Sequence, residues 1–520
     1  MSAELLIRGG TIVTSERTFA GDVRVRDGRI VEVIERPMEG SGGDARSGGG
    51  VRADGDARTG GDVSVGSDVR LGGDEPAVGD ARAAGPANEE NVLDATGMYV
   101  LPGLVDLHVH FRDPGLTDKE DFETGTAAAA LGGVTTVLDM PNTKPPVGSA
   151  SVLRQKAAAV AGRAYVDYGL YGVITEHNLP LLAEMAEAGA AAFKLFLGPT
   201  TGDIKAPGWG KLIEVFETVR DLNVPLVVHA EDRDVIEYWE KRAAQRTMGV
   251  GGGFWHDVYD FRPPSDEEYS TFLATRPRFG EAAATQTVCL LAAMTNTPVH
   301  IAHVSIKEAV DVIRQAKAAG APVSAETCPQ YLTLTSADCR RLGPVSKVLP
   351  PVREKADQEA LWQALQDGVI DMIASDHAPH EAAAKESPSW SKAAAGLLGV
   401  QTMLLVLLNE AEQGRLTLND LVRWASRRPA ELFGFDDEKG DIRPGLDADL
   451  VVVDPRRETT VTAEWLQSKS KNSHLIGRTL RGAVVHTIVR GHVVVRDGRL
   501  TGLRIGRNLF ERAPAPPPYV

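Results

Sequence analysis

The sequence predicts an α/β protein, a (β/α)8 TIM barrel with a small composite β-sandwich domain formed by both chain ends. From Met98 onward, short apolar runs alternate with Ala-rich segments of helical spacing, and this alternation implies a parallel sheet that closes into a barrel. On either side of that region, short apolar runs follow one another with Gly- and Asp-containing turns between them, as in β-hairpins. The length of 520 residues suits a barrel together with a second, smaller unit.

Seven runs in the central part of the chain have the composition of buried strands. They are residues 134–140, 164–173, 191–197, 224–229, 298–303, 322–326 and 369–375. Residues 181–188 and 306–319 have the apolar spacing of helices that lie between such strands. The apolar stretch 397–408 is broken by Gln401 and Thr402, so it predicts a barrel helix and not a membrane span.

The boundaries of the predicted units follow from these changes of pattern. They are residues 1–39 for the first part of the β-sandwich, 40–91 for an insertion, 92–97 for a further β-sandwich strand, 98–446 for the barrel, 447–505 for the second part of the β-sandwich and 506–520 for a Pro-rich tail. Residues 40–86 contain 14 glycines and no aromatic residue. Such a composition cannot repay the entropy of ordering, so we predict a disordered Gly/Asp-rich loop there.

The composition limits the classes of binding partner and the cellular compartment that are to be expected. The net charge of -15, from 71 acidic against 56 basic residues, argues against nucleic acid and anionic membranes as partners. The cysteines, Cys289, Cys328 and Cys339, are odd in number and lack Cys-x-x-Cys spacing, which indicates ordinary thiols in a reducing compartment. The N-terminus has no basic segment followed by a long apolar one. We therefore expect a cytoplasmic protein that acts on a small molecule.

Residues 104–112, Leu-Val-Asp-Leu-His-Val-His-Phe-Arg, are the most informative stretch of the chain. On a strand, positions i and i+2 point to the same face, so His108 and His110 project together. Two neighbouring imidazoles are able to share one metal ion. The alternative for an isolated His-x-His is that one histidine faces the core and the other faces water.

Four more candidate metal ligands follow the same rule of position. Lys194, His229, His303 and Asp376 each stand where a short β-rich run gives way to a loop. The carboxyl ends of the strands are where a (β/α)8 barrel keeps its active-site groups. The sequence therefore predicts that these side chains converge with the two histidines.

These motifs resemble those of the cyclic amidohydrolases, and within them the dihydroorotases. The resemblance extends from about Leu6 to Gly498 and is interrupted by the insertion. The stretches that carry it are Asp106-Leu-His-Val-His-Phe-Arg-Asp-Pro-Gly115, Lys119-Glu-Asp-Phe-Glu-Thr-Gly-Thr126, Gly132-Gly-Val-Thr-Thr136, Asp139-Met-Pro-Asn-Thr143 and Ser375-Asp-His-Ala-Pro-His380 with Lys385.

The resemblance implies two divalent metal ions, usually zinc, bridged by a hydroxide and by a carbamylated lysine. His108, His110 and Asp376 would hold one ion, His229 and His303 the other, and Lys194 would bridge the ions as its carbamate. A bare amine is unable to bridge two cations, whereas a carbamate supplies oxygen ligands. Asp376 would also be the catalytic proton carrier. Taken alone, Lys194 is more often a buried lysine in an ion pair.

The resemblance also implies substrate-binding residues, namely His110, Arg112, Asn142 and His380. The last three match positions that grip the carboxylate and ring amide of dihydroorotate in dihydroorotases, and an arginine suits a carboxylate because its planar fork donates two parallel hydrogen bonds.

The implied activity is that of a dihydroorotase, the reversible hydrolysis of (S)-dihydroorotate to N-carbamoyl-L-aspartate in pyrimidine synthesis. The resemblance also implies a homo-oligomer, either a dimer or a tetramer. The alternative is an allantoinase or a hydantoinase-like hydrolase. It is kept because Leu349 stands where dihydroorotases carry asparagine, Ala394 and Ala395 stand where they carry Pro-Phe, and residues 399–402 look equally like allantoinases. A non-catalytic assembly partner is the third hypothesis, which the complete ligand set disfavours.

Overall fold

The computed structural model describes residues 4–37, 91–202, 204–247 and 268–511. The predicted insertion, apart from residue 91, and the Pro-rich end of the predicted tail lie outside the described residues. The predicted disorder of the Gly/Asp-rich loop therefore stays a prediction.

The central part of the chain is an eight-stranded parallel barrel, as predicted. Its strands neighbour one another in sequence order. They are β6 (Leu104–Val109), β7 (Val134–Asp139), β8 (Asp167–Ile174), β9 (Ala192–Phe196), β10 (Leu226–His229), β11 (Val299–Ile301), β12 (Val323–Thr327) and β13 (Met372–Ile373). The gap between the last strand and β6 is bridged at a single pair, Val109 with His377.

Most of the strands are shorter than the apolar runs that predicted them, above all β11 and β13. Each of these two is followed, two or three residues after its end, by a residue in the left-handed backbone region, His303 with φ 39° and Asp376 with φ 48°. Non-glycine residues rarely adopt this conformation, and it ends the strand geometry. The chain therefore leaves the sheet at the two positions where the sequence placed metal ligands.

Helices cover the outside of the barrel. They are α1 (Phe122–Leu131), α2 (Ala150–Val160), α3 (Leu182–Glu187), α4 (Leu212–Leu222), α5 (Arg233–Thr247), α6 (Glu268–Thr275), α7 (Arg278–Thr295), α8 (Lys307–Ala318), α9 (Pro329–Thr333), α10 (Ser336–Leu342), α11 (Lys355–Gln366), α12 (Ala382–Lys385), α13 (Met403–Glu412), α14 (Leu418–Val422) and α15 (Arg428–Phe433). Short 3-10 turns occur at Leu179–Leu181, Trp209–Lys211 and Pro344–Ser346, and a π-helical segment, Arg423–Arg427, joins the last two α-helices. Within the described ranges, no helix is both long enough and apolar enough to cross a membrane.

The helix predicted for residues 397–408 begins later, at Met403. Gly399 explains the late start, since a Cβ at this position would lie 2.9 Å from the carbonyl oxygen of Ser375. Leu397 pairs with His377 in an isolated bridge, residues 400–402 form a turn, and the helix begins after them.

The two chain ends form one nine-stranded sheet, which confirms the composite β domain. The N-terminal part contributes β1 (Glu4–Val13), β2 (Thr18–Arg26), β3 (Arg29–Glu35), β4 (Val92–Asp94) and β5 (Tyr99–Pro102), and the C-terminal part contributes β14 (Leu450–Thr460), β15 (Thr479–Val489), β16 (His492–Arg496) and β17 (Arg499–Leu500). Strand β5 joins the two parts, because it pairs with β1 on one side and with β14 on the other.

Two details of the chain ends differ from the prediction. Gly9 and Gly10 were expected to form a turn between two strands, but β1 continues through them with a register shift, and Gly9 has φ +74°. Glycine permits this conformation without steric cost. Residues 506–511, the start of the predicted tail, pack on the barrel, where the Leu509 N–H donates to the Tyr168 carbonyl at 2.8 Å.

A buried ion cluster connects the barrel to the sheet. The Lys439 ammonium lies 2.9 Å from Asp167 at the start of β8, and 3.3 and 2.6 Å from Asp447 and Asp449 just before β14. Lys439 is 1% exposed. Because Lys439 and the three aspartates share one site that excludes water, the contact between the barrel and the sheet depends on all four charges.

Candidate active site

The sequence-predicted ligands meet at the carboxyl end of the barrel. The imidazole Nε2 atoms of His108 and His110 lie 3.4 and 3.3 Å from Oδ1 of Asp376. All three side chains are buried, and their ligand atoms lie within 4.8 Å of one another. Residues separated by more than 260 positions in sequence thus form one compact cluster.

Hydrogen bonds on the far side of each imidazole determine what faces Asp376. Nδ1 of His108 donates to the Glu326 carboxylate, and Nδ1 of His110 donates to Oδ1 of Asn142 at 2.7 Å. Both Nε2 atoms therefore present lone pairs to a carboxylate oxygen. Three acceptors that converge without a proton between them are the arrangement that a cation requires.

A second pair of imidazoles lies beside this cluster. Nδ1 of His229 is 2.9 Å from Nε2 of His303, and Nε2 of His229 donates to Glu231 at 3.0 Å. Arg276 holds Glu231 through a 2.9 Å ion pair. The rings of His108 and His303 are 5.3 Å apart between centroids, so the two groups of histidines are contiguous.

Lys194 is fully buried in the same place. Among the described residues its Nζ has no hydrogen-bond partner, and it lies 5.3 Å above the ring of Phe196. Burial lowers the pKa of Lys194 to about 8. A lysine with this pKa has an appreciable neutral fraction near pH 7, and a neutral amine is the form that reacts with carbon dioxide.

The residues present fit a divalent metal centre. Metal-binding imidazoles must be neutral, and burial lowers the pKa of His108 to about 4 and that of His303 well below its ordinary value. Burial also raises the pKa of Asp376. The facing acceptors of His108, His110 and Asp376 are buried polar groups that a bound cation would satisfy, and the unpartnered Nζ of Lys194 would contribute to such a site only as its carbamate.

Two carboxylates that the sequence did not single out support the ligands. Glu326, at the end of β12, accepts from His108, from the His303 N–H at 3.3 Å and from His300 at 3.2 Å. Asp106 accepts from the Ser375 N–H at 3.0 Å and the His108 N–H at 3.3 Å. The sequence signal that could have identified both is an acidic residue inside an apolar strand. Burial of such a residue is costly unless it accepts hydrogen bonds from buried donors.

Arg112 is a buried cation at the edge of this cluster. Its Nε donates to the Pro379 carbonyl at 3.4 Å, and its Nη1 has no hydrogen-bond partner in the described chain. No carboxylate of the described residues lies within ion-pair distance of it. Its backbone is left-handed, with φ 63°, and burial lowers its pKa to about 10.

The other two predicted substrate residues lie in the same region. His380 bonds through Nε2 to the Ala395 carbonyl at 2.9 Å, and its pKa falls to about 2 because it is buried and lies near Arg112. Asn142 orients His110 and donates to Thr200 at 3.4 Å. Contact of either residue with a substrate stays a prediction.

The positions where the sequence departs from dihydroorotases have different surroundings. Leu349 packs against the apolar core and precedes the cis peptide bond to Pro350. Ala395 contributes its carbonyl oxygen to His380. The departure at Ala395 therefore keeps a backbone contact of the site.

A barrel with buried histidines and a carboxylate at the carboxyl ends of its strands defines a class of metal-dependent hydrolases. A sequence model described as the amidohydrolase family matches residues 99–494. The protein belongs to this amidohydrolase family. Within it, the protein falls in the cyclic amidohydrolase group of dihydroorotases, allantoinases and hydantoinases.

Curated relatives with different substrates are similar to the chain to nearly the same degree. An L-hydantoinase of Paenarthrobacter aurescens is 36% identical, covering 78% of this chain and 86% of the relative. An allantoinase of Streptomyces avermitilis is 37% identical, covering 77% of this chain and 85% of the relative. A dihydroorotase of Geotalea daltonii is also 37% identical, covering 79% of this chain and 90% of the relative. The solved L-hydantoinase (dihydropyrimidinase) of Arthrobacter aurescens superposes with a TM-score of 0.79 at 31% identity, covering 95% of this chain and 97% of that one.

Proposed function

We propose that this cyclic amidohydrolase is a dihydroorotase, which interconverts (S)-dihydroorotate and N-carbamoyl-L-aspartate in pyrimidine synthesis. The observation that supports this substrate is the buried Arg112, which has no counter-ion within the described residues. A buried charge is costly unless it is paired. The carboxylate of dihydroorotate would supply the missing partner, whereas allantoin and simple hydantoins carry none.

The proposed reaction adds water across the ring amide. The water oxygen bonds to the carbonyl carbon, the bond from that carbon to the ring nitrogen breaks, and the nitrogen receives a proton. Divalent ions, when bound, polarise the carbonyl and make the water more acidic. The Asp376 carboxylate, which faces His108 and His110, takes the proton from the water and delivers it to the leaving nitrogen.

Arg112 and His380 offer complementary groups to a cyclic amide. Because Nε2–H of His380 donates to Ala395, the neutral ring presents Nδ1 as a hydrogen-bond acceptor. Arg112 presents a free donor at Nη1. A substrate with an anionic or carbonyl oxygen on one side and a ring N–H on the other satisfies both residues.

Lys194 would complete the metal centre as a carbamate. Its amine adds to carbon dioxide and releases a proton, which turns a buried base into an anionic oxygen ligand. Two neighbouring pairs of imidazoles suit two ions, and zinc is the ion that such nitrogen and oxygen donors commonly bind. His108, His110 and Asp376 would hold one ion, and His229 and His303 the other.

The test is turnover of L-dihydroorotate, allantoin and a neutral 5-substituted hydantoin by the metal-loaded protein. We expect dihydroorotate to be preferred, and Arg112→Met to lower kcat/KM for it by roughly thirtyfold to several thousandfold, since losing a buried charge pair costs about 2 to 5 kcal/mol. Arg154→Met, which changes an exposed arginine on α2, is the control.

The second candidate function is hydrolysis of allantoin or another neutral cyclic amide. The similarity to an L-hydantoinase and an allantoinase favours it, as does the apolar Leu349 in place of a polar residue. Faster turnover of a neutral substrate, or unchanged dihydroorotate turnover in Arg112→Met, would replace the first proposal with this one.

A further inference from the structure

Two buried lysines near the candidate active site lack carboxylate partners. Lys347 Nζ donates to the carbonyl oxygens of Trp390 and Ala393 at 2.5 and 2.7 Å. Lys385 Nζ donates to the carbonyl oxygens of Lys347 and Ala394, both at 3.1 Å. Neither ammonium group is within ion-pair distance of an acidic side chain of the described residues.

Two buried lysines away from the candidate metal site, Lys156 and Lys439, differ in this respect. Lys156 pairs with Asp139 at 2.5 Å, and Lys439 pairs with three aspartates. Burial lowers the pKa of Lys347 to about 8 and that of Lys385 to about 7. Two amines are thus kept in an unfavourable environment where their hydrogen bonds go to backbone carbonyls, and both lysines bind carbonyls of one segment, residues 390–394.

That segment leads directly to the carbonyl that holds His380. Ala395 follows Ala393 and Ala394, whose carbonyls the lysines bind, and its own oxygen accepts from Nε2 of His380 at 2.9 Å. The next residue, Gly396, donates to the Lys347 carbonyl at 2.9 Å and has φ +149°. A Cβ at Gly396 would lie 2.2 Å from the Ala378 carbonyl oxygen, so the segment is pressed against the loop that carries His380.

The contact decides which nitrogen of His380 is free. While the Ala395 carbonyl accepts from Nε2–H, the neutral ring must present Nδ1 as an acceptor. Nδ1 has no hydrogen-bond partner in the part of the chain that the structure describes. If residues 390–396 moved away from His380, neither tautomer of its ring would be favoured. Nδ1 would then be protonated, and unable to accept a hydrogen bond, in part of the protein molecules.

We propose that Lys347 and Lys385 are positioning residues for substrate recognition, which hold residues 390–396 so that Ala395 fixes His380 with Nδ1 as the acceptor for a ring N–H of the substrate. The inference rests on the proposed hydrolysis of a cyclic amide. Beyond the proposed hydrolysis, it assigns recognition of the ring N–H to His380, whose tautomer the two lysines maintain through the backbone of residues 390–396.

The kinetic test uses Lys347→Met and Lys385→Met, which keep the length of the side chain and remove its hydrogen bonds. For the substrate that wild-type protein turns over best, KM should rise by about tenfold, the effect of one lost hydrogen bond, while kcat changes by less than about threefold. Metal content should equal that of wild type. Lys392→Met, which alters an exposed lysine of the same segment, is the matched control and should leave KM unchanged.

A double-mutant cycle separates positioning from general loosening of the fold. In a His380→Ala background, Lys385→Met and Lys347→Met should no longer raise KM, because the residue through which they act is gone. Equal KM effects with and without His380, a fall in kcat at unchanged KM, or unchanged KM in both lysine variants would overturn the proposal. If one lysine variant fails to fold, the other carries the test.

The nitrogen-15 chemical shifts of the His380 ring provide a readout that does not depend on turnover. Wild-type protein should show the Nε2–H tautomer, with the signal assigned by its loss in His380→Ala, and the lysine variants should show a tautomer mixture. If wild-type protein hydrolyses no cyclic amide, the proposed function fails while this measurement still decides the lysine contacts. An unchanged tautomer in both lysine variants would overturn the inference.

Discussion

Burial sets the ionisation of the individual residues of the site. The same barrel end lowers the pKa of Lys194 to about 8 and that of His108 to about 4, and it raises the pKa of Asp376. Each shift moves the group toward its neutral form, which is the effect of desolvation. A cation that binds there would favour the ionised form of Asp376 and would bind the histidines in the neutral form that burial already favours.

Lys194→Ala should lose metal as well as activity, because it removes the group that would supply bridging oxygen atoms. Metal analysis after zinc supplementation should give close to two ions per chain for wild type and clearly fewer for the variant. Addition of a short carboxylic acid should restore part of both, since it supplies the missing oxygen atoms. Lys205→Ala, at an exposed position, is the control, and wild-type protein without metal would contradict the metal centre.

Asp376→Asn should lower kcat by about 10²- to 10⁴-fold, the usual contribution of a positioned general base. The amide keeps the shape of the carboxylate but is unable to carry the proton. Metal content must be measured alongside, because Asp376 faces both histidines. Asp221→Asn, which changes a largely exposed aspartate, should have no effect. Retention of more than about a tenth of wild-type kcat would remove Asp376 from the proton transfer.

At the scale of elements, the sequence predicted strands well and their ends poorly. Parallel strands are buried on both faces, so β7, β8 and β9 are buried along their whole length, and the apolar residues that dominate them are visible in the sequence. The left-handed residues that end β11 and β13 have no local signal. The partnership of Glu326 with His108 joins residues 218 positions apart, and only the closed barrel brings them together.

Asp106 shows how one strand holds another at the site. Its Oδ1 accepts from the backbone of His108 in β6 and of Ser375 after β13. Asp106→Leu leaves both N–H groups unpaired and should destabilise the protein by about 1 to 3 kcal/mol for each. Asp106→Asn keeps the acceptor and should stay within about 1 kcal/mol of wild type. Urea unfolding of the two variants checks this, and equal stability of both would show that the contact is unimportant.

At the scale of the whole molecule, Lys439 links the barrel to the sheet. Lys439→Met leaves Asp167, Asp447 and Asp449 without their shared cation and should destabilise the protein by about 3 to 5 kcal/mol. Denaturant unfolding should show this loss, with Lys241→Met at a largely exposed position as the control. A loss below about 1 kcal/mol would mean that nearby arginines compensate.

His474 makes stability depend on pH. Burial lowers its pKa from 6.5 to about 3, so the folded protein keeps it neutral while the unfolded chain binds a proton below pH 6.5. The unfolded state therefore binds more protons in this window, and stability falls as the pH falls, by up to about 1.4 kcal/mol per pH unit. The metal-free His474→Gln variant should have a shallower slope of unfolding free energy between about pH 6 and pH 4. Parallel slopes would contradict the assignment.

The sheet built from both chain ends has a consequence for biosynthesis. Strand β5 ends at residue 102, and its partner β14 begins at residue 450. At about 5 to 20 residues per second, a ribosome needs on the order of 20 to 70 s to make the intervening chain. During that time the edge of β5 that pairs with β14 in the finished protein is unpaired, and unpaired strand edges can form hydrogen bonds with strands of other chains. Nascent chains that stall within the barrel should therefore aggregate, and only a ribosome that reaches the last strands releases a protein with this edge closed.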